Sequence, residues 1–121
     1  MVILFDQYNL PENIYEIIFS TGQQEIVASL LVKFIKEKKG AVSKAEMSQF
    51  AKDLHDGKIT YQSQKVSYNK RQFYDRILTP LKAMGIVYYD MYNRNYTISK
   101  NFHKALQAIA ELWLQEYAKP S

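Results

Sequence analysis

Apolar side chains recur at helical spacing in five stretches of the chain and alternate with polar ones in one more. In the first stretch Leu10, Ile14, Ile17 and Ile18 share a face, and Pro11 suits a first helical turn, so a helix is expected over 11–19. Ser20-Thr21-Gly22 interrupts it, and Thr21 with Gln24 makes a capping-box pattern for a second helix over 22–38. Ile26, Val27, Leu30, Leu31, Phe34 and Ile35 form one stripe there, the mark of a central core helix. Lysines 36, 38 and 39 at its end, with Gly40 beyond, are a stop signal. Ala41-Val42 predicts a very short strand. Ser43 with Glu46 opens a helix over 44–55, in which Met47, Phe50, Ala51 and Leu54 share a face and after which Asp56-Gly57 breaks the pattern.

The next helix is expected over 70–84, capped by Asn69 with Gln72, with Phe73, Ile77, Leu81 and Met84 on its inner face. Pro80 lies inside this pattern. It has no N–H for the carbonyl of Arg76, and an interior proline costs about 3 kcal/mol, so a kink is expected there, or a break with Thr79 capping a last turn. Residues 86–99 alternate and are rich in β-branched and aromatic types, which predicts a hairpin. Its tip is placed at Asn93-Arg94-Asn95, because Asn tolerates the positive φ of a tight turn. A last helix spans 100–118. Its main stripe is Phe102, Leu106, Ile109, Trp113 and Tyr117, and Leu112 and Leu114 widen that face beyond what one small core usually needs.

Between the helices over 44–55 and 70–84 stands a segment of another kind. From Gly57 to Tyr74 there is no Asp or Glu, but there are four Lys/Arg and three Tyr. Ile59 and Tyr61 alternate with Thr60 and Gln62, a weak signal for a short extended piece. Composition changes the picture little elsewhere. A chain of 121 residues, 47% hydrophobic and 23% charged, is sized and composed as one globular domain. Cysteine is absent, which removes disulfides and thiolate metal sites and fits a reducing compartment. The start, MVILFDQYNL, is interrupted too soon by Asp6 for a signal peptide, and no apolar run reaches the roughly 18–20 residues of a membrane span. The expectation is a soluble, cytoplasmic protein with no membrane partner.

Charge is segregated. Residues 1–32 carry four acids and no Lys or Arg, a net of −4; residues 33–104 hold fifteen Lys/Arg against six acids, +9; residues 105–121 hold one Lys against two Glu, −1. A basic block of this kind predicts one basic face and an acidic partner.

The order helix, short strand, helix, helix, hairpin, helix, together with the run RILTPLKAMGIVYYDMYNRNYTIS, resembles the winged helix-turn-helix superfamily. Ile77, Leu78 and Leu81 followed by Gly85-Ile86-Val87 match the passage from a recognition helix into a first wing strand. Asn93-Arg94-Asn95 matches a wing tip, and Tyr96-Thr97-Ile98-Ser99 a second strand leading into a helix. The resemblance covers about residues 22–118. The use of Tyr, Ile, Lys and Asn also looks like that of small archaeal, plasmid or viral regulators.

The resemblance implies an α+β, mostly α fold: a single domain with an N-terminal extension over 1–20, a winged-helix core over 22–99 and a C-terminal helix over 100–118. It implies a regulator of transcription that reads duplex DNA with helix 70–84 in the major groove. Asn69, Lys70, Arg71, Gln72 and Arg76 would then face bases and phosphates, Arg94 would reach from the wing, and Lys44 would touch the backbone. Lys58 and Lys65 belong to the basic stretch 57–68, an insertion into the usual short turn of the motif: a basic arm, a flexible loop or an extension of the sheet. Tyr61, Tyr68 and Tyr74 are candidates for base stacking, with Tyr74 better suited to packing beside Leu78.

No Gly-rich phosphate loop, metal-ligand cluster or nucleophile–base pair is visible, so neither an enzyme, a cofactor, a metal nor a small-molecule ligand is expected. The wide apolar faces of the first and last helices point to a homodimer, with the acidic N-terminal segment and helix 100–118 at or near its interface. The alternative is a winged-helix protein-interaction module within a replication, transcription or membrane-remodelling assembly, because fold does not settle function.

Overall fold

Asn13 decides where the first helix begins. Its side-chain oxygen accepts hydrogen bonds from the backbone N–H groups of Tyr15 and Glu16 at 3.0 and 3.3 Å, so α1 is only Tyr15–Ile18, shorter than the 11–19 that the apolar spacing predicts. The computed structural model describes residues 5–121, and residues 1–4 of the expected N-terminal extension lie outside the described residues. The short helix sets Ile18 and Phe19 into the interior.

Thr21 caps α2 (Gly22–Glu37) by accepting the N–H of Gln24 at 3.2 Å. Val27, Ala28, Leu31, Val32 and Ile35 of this helix are buried, which makes it the central element of the core. β1 (Ala41–Ser43) follows, and then α3 (Lys44–His55), opened by a full capping box. The Ser43 hydroxyl accepts the Glu46 N–H at 3.1 Å, and the Glu46 carboxylate accepts the Ser43 N–H at 3.0 Å. The Ser43 N–H holds the Glu46 carboxyl below its ordinary range, with help from Lys38 beside it.

The acid-free segment forms structure of its own. β2 (Ile59–Tyr61) and β3 (Gln64–Val66) make an antiparallel hairpin in the register Ile59↔Val66, Thr60↔Lys65 and Tyr61↔Gln64. Neither strand joins the main sheet, so the segment is neither a bare loop nor a sheet extension. Gln62 and Ser63 form the two-residue turn with φ of 50° and 66°, the two positive values of a type I′ turn. Ile59 and Val66 pack on the core, and Tyr68 is buried, which removes Tyr68 as a stacking platform.

α4 is one continuous helix over 70–83, built of an α turn (Lys70–Gln72), a π-helical turn (Phe73–Leu78) and a closing α segment (Thr79–Ala83). The proline neither breaks nor ends it. In the widened turn the Thr79 N–H bonds the carbonyl of Tyr74, five residues back, and the Thr79 hydroxyl donates to the same oxygen at 2.8 Å. Pro80 therefore sits at the start of the closing segment, where a missing N–H is tolerated.

β4 (Val87–Asp90) and β5 (Asn95–Ile98) form the second hairpin, and β1 adds to β5 to give an antiparallel sheet in the order β1-β5-β4. At its tip the positive φ falls on Arg94, at 55°, and Asn95 is already in strand, paired with Asp90 and Ser43. The expectation that an Asn supplies the left-handed residue is corrected: Asp90 fixes the turn instead. Its carboxylate accepts from the N–H of Tyr92 (2.9 Å), the N–H of Asn93 (3.2 Å) and the side-chain amide of Asn93 (2.7 Å). Those bonds, the Asn93 N–H foremost, hold the Asp90 carboxyl below its ordinary range.

α5 (Asn101–Ala118) closes the chain. Gly85 joins α4 to β4 with φ of 85°, and its carbonyl accepts the Phe102 N–H at 3.1 Å. A Cβ on Gly85 would meet the Phe102 nitrogen at 2.9 Å, so only glycine lets the start of α5 come this close. The fold is α+β and mostly helical, with one small antiparallel sheet. Phe34 stacks on Phe50 (4.7 Å between centroids), and Phe50 packs against Phe73 (5.7 Å), tying α2, α3 and α4 together. No helix among the described residues is long and apolar enough to cross a membrane.

Candidate nucleic-acid interface

The front of α4 is held by the end of α3. The Lys70 N–H, one of the donors that a helix start leaves without an intrahelical partner, bonds His55 Nδ1 at 3.0 Å. Nδ1 accepts only when it carries no proton, so this bond assigns the ring's proton to Nε2. The Ser67 hydroxyl donates to the His55 carbonyl at 3.2 Å, the Tyr68 N–H to the Leu54 carbonyl at 3.2 Å, and Gln23 Nε2 to the Ser67 carbonyl at 3.1 Å. Four bonds therefore fix where the residues from Asn69 onward begin their helix.

The predicted site residues divide by what already engages them. Asn69 commits its side-chain oxygen to the helix cap, accepting the Gln72 N–H at 3.0 Å, so a base edge would have to compete with the cap for that oxygen. Gln72 is half-buried. Arg71 lies in a long ion pair with Asp75 (3.9 Å), both side chains exposed, a contact of little energetic weight. Lys58, Lys65, Lys70, Arg76 and Arg94 are exposed, and among the described residues none of them enters an ion pair. Lys65 stands opposite Thr60 on the face of the β2–β3 hairpin away from Ile59 and Val66.

Lys44 belongs to a different group. Its ammonium lies 5.2 Å from the ring centroid of Tyr89, which packs on its cross-strand partner Tyr96 at 4.8 Å. Lys82 lies 6.0 Å from the Tyr96 ring. The four side chains make a strip from the start of α3, across the second hairpin, to the end of α4. Burial, with Tyr74 and Tyr89 nearby, raises the Tyr96 phenol above its ordinary range.

Two members of these groups escape a reading of the sequence. His55 is fifteen residues from the N–H it caps, and no local pattern pairs them. Lys82 carries no signal beyond membership of the basic block. The tip of the second hairpin is also more exposed than its composition suggests, with Tyr92 at 99% and Met91 beside it.

An open groove of about 490 Å³ lies elsewhere, between α2, α3 and β2, above the stacked Phe34 and Phe50. Its rim mixes Lys33 and Lys38 with Glu37, Glu46 and Asp53, so it has no single sign of charge. Among the described residues no group of three or more His, Asp or Glu is placed to hold a metal ion. Comparison of the chain with protein-family models, with curated proteins and with solved structures finds no match.

Proposed function

We propose that this chain is a sequence-specific duplex DNA-binding protein of winged-helix type, a regulator of transcription working in the cytoplasm. The observation that carries the reading is the fixed front of α4: Lys70 and Arg71 stand exposed at a helix start held by four hydrogen bonds to or beside α3, next to a hairpin that presents Lys58 and Lys65. A rigid helix end rich in Lys and Arg, with no acid between Gly57 and Tyr74, fits a phosphate backbone and a major-groove edge. In this reading α4 enters the groove, the β4–β5 hairpin acts as the wing with Arg94 at its tip, and Lys44 meets the backbone. Arg71 exchanges Asp75 for a base edge or phosphate, and Gln72 lies behind it.

Fluorescence anisotropy with a mixed-sequence duplex tests this. Affinity should fall steeply as salt rises, because each neutralised phosphate releases counterions. Replacing Lys65 or Lys70 by Ala should weaken binding to all sequences and lower the salt slope by about 1 each, whereas Arg71→Ala should relax sequence preference. Absence of binding at low salt sinks the reading and favours the second one, a protein-interaction module, for which the bare apolar length of α5 is the supporting observation.

A further inference from the structure

The last helix is the one long element that the body of the protein leaves uncovered. At 18 residues it is about 27 Å long. Phe102 and Leu106, in its first two turns, are partly buried, and Phe102 is tied to Gly85. Beyond Leu106 every residue is exposed. Ile109, Leu112, Trp113 and Leu114 are each more than half accessible, and Tyr117 is 77% accessible. An isolated helical segment of about a dozen residues is marginal in water, so the far turns of α5 need cover to persist.

The area suits one particular cover. Leu114 lies about 160° round the helix from Leu112 and outside the seam. Aromatic side chains offer roughly 150–250 Å² each, so Trp113 and Tyr117 with Ile109 and Leu112 leave on the order of 500 Å² uncovered per chain. Two such faces together give about 1,000 Å², the area that a specific interface should clear.

Charge fixes the direction of pairing. Phe102, Ile109 and Glu116 recur every seven residues, so Glu116 lies in the apolar seam. Parallel, in-register pairing would set the two Glu116 carboxylates against each other in that seam. Antiparallel pairing about Trp113 separates them and opposes the helix dipoles, and each Glu116 keeps the Lys119 of its own chain at 3.0 Å.

We propose that α5 is a homodimerisation helix that pairs antiparallel with α5 of a second copy, with Trp113 beside the two-fold axis. The proposal stands whether or not the protein binds DNA. It confines the interface to α5 and needs nothing from the acidic N-terminal segment.

Trp113 is the single Trp of the chain, and there is no Cys, so two clean reporters exist. At micromolar concentration light scattering should give twice the 14.2 kDa of one chain, and Trp fluorescence should shift to the blue as concentration rises. Trp113→Glu should halve the mass while circular dichroism of the body persists, because the residue is 63% exposed and lies outside the buried core. For direction, Ala110→Cys copies mixed with Tyr117→Cys copies should oxidise to mixed disulfide dimers, and Tyr117→Cys alone should not. A monomeric wild type, a dimer that survives Trp113→Glu, or Tyr117→Cys self-crosslinking in place of mixed dimers would each overturn the proposal. A monomer whose Trp fluorescence shifts only with anionic vesicles would overturn it too, and would assign the face to a bilayer surface.

Discussion

The two hairpins of this protein hold their turns by opposite means. The β4–β5 turn is tied by three hydrogen bonds to Asp90, and both of its strands belong to a three-stranded sheet. The β2–β3 turn rests on Gln62 and Ser63, both left-handed, and the hairpin leans on the core through Ile59 and Val66. Side-chain bonding secures the first, and surrounding packing holds the second in a conformation its own residues disfavour. A turn can therefore be fixed by its own chemistry or imposed by what lies on either side of it.

Gly85, at the foot of the better-secured hairpin, offers the strongest way to break that contrast. Gly85→Ala combines a positive φ with a Cβ 2.9 Å from the Phe102 nitrogen and 3.1 Å from the Asn101 carbonyl carbon. A loss of at least about 2 kcal/mol is expected, read from a thermal or denaturant melt. A loss no larger than that of an ordinary surface substitution would show that the start of α5 gives way easily.

The other hairpin should respond in the opposite direction. Gln62→Asn with Ser63→Gly supplies the residues that a type I′ turn prefers and should raise stability by up to about 1 kcal/mol in the same melt. A decrease would mean that the two left-handed conformations carry no penalty here.

The smallest effect is a matter of pH. Because the folded Asp90 carboxyl is held below its ordinary range, its contribution is complete at neutral pH, above the unfolded value. It is lost only as pH falls through the depressed folded value. The Asn93 amide signal, followed by NMR, should therefore move in acid below the ordinary carboxylate range. The amides of Gln62 and Ser63, with no carboxylate in their turn, should stay in place. Movement of both sets together would erase the distinction between the hairpins.

The same contrast explains what was legible in the sequence. α2 and α3 could be read to within a residue because the hydroxyls of Thr21 and Ser43 announce their starts and their apolar stripes are long. The second hairpin was legible for its β-branched and aromatic run, although its left-handed residue proved to be Arg94. The first hairpin was not, because two three-residue strands carry almost no periodicity and Gln-Ser is not a turn signature. For the candidate site, the concentration of cations over 33–104 and the cap at Asn69 could be read directly. The engagement of each side chain could not. Lys44 over Tyr89, the half-burial of Gln72 and the His55 cap on Lys70 all depend on which elements fold back on one another.

The π turn in α4 has a consequence for orientation. A regular α-helix advances about 100° per residue. Counted back from Leu81 at that pitch, Tyr74 and Lys70 would fall on the same side as Leu81, pointing a lysine at the core. The wider turn takes up one extra residue, so the helix before it is out of phase by one position. Phe73 replaces Tyr74 at the buried place, and Lys70 swings clear. The turn thus sets the azimuth of the helix front: the same residues wound as a regular α-helix would aim its cations about a quarter of a revolution away, whereas deleting one residue within Phe73–Leu78 would remove the wide turn and leave Phe73 inward and the cations where they are.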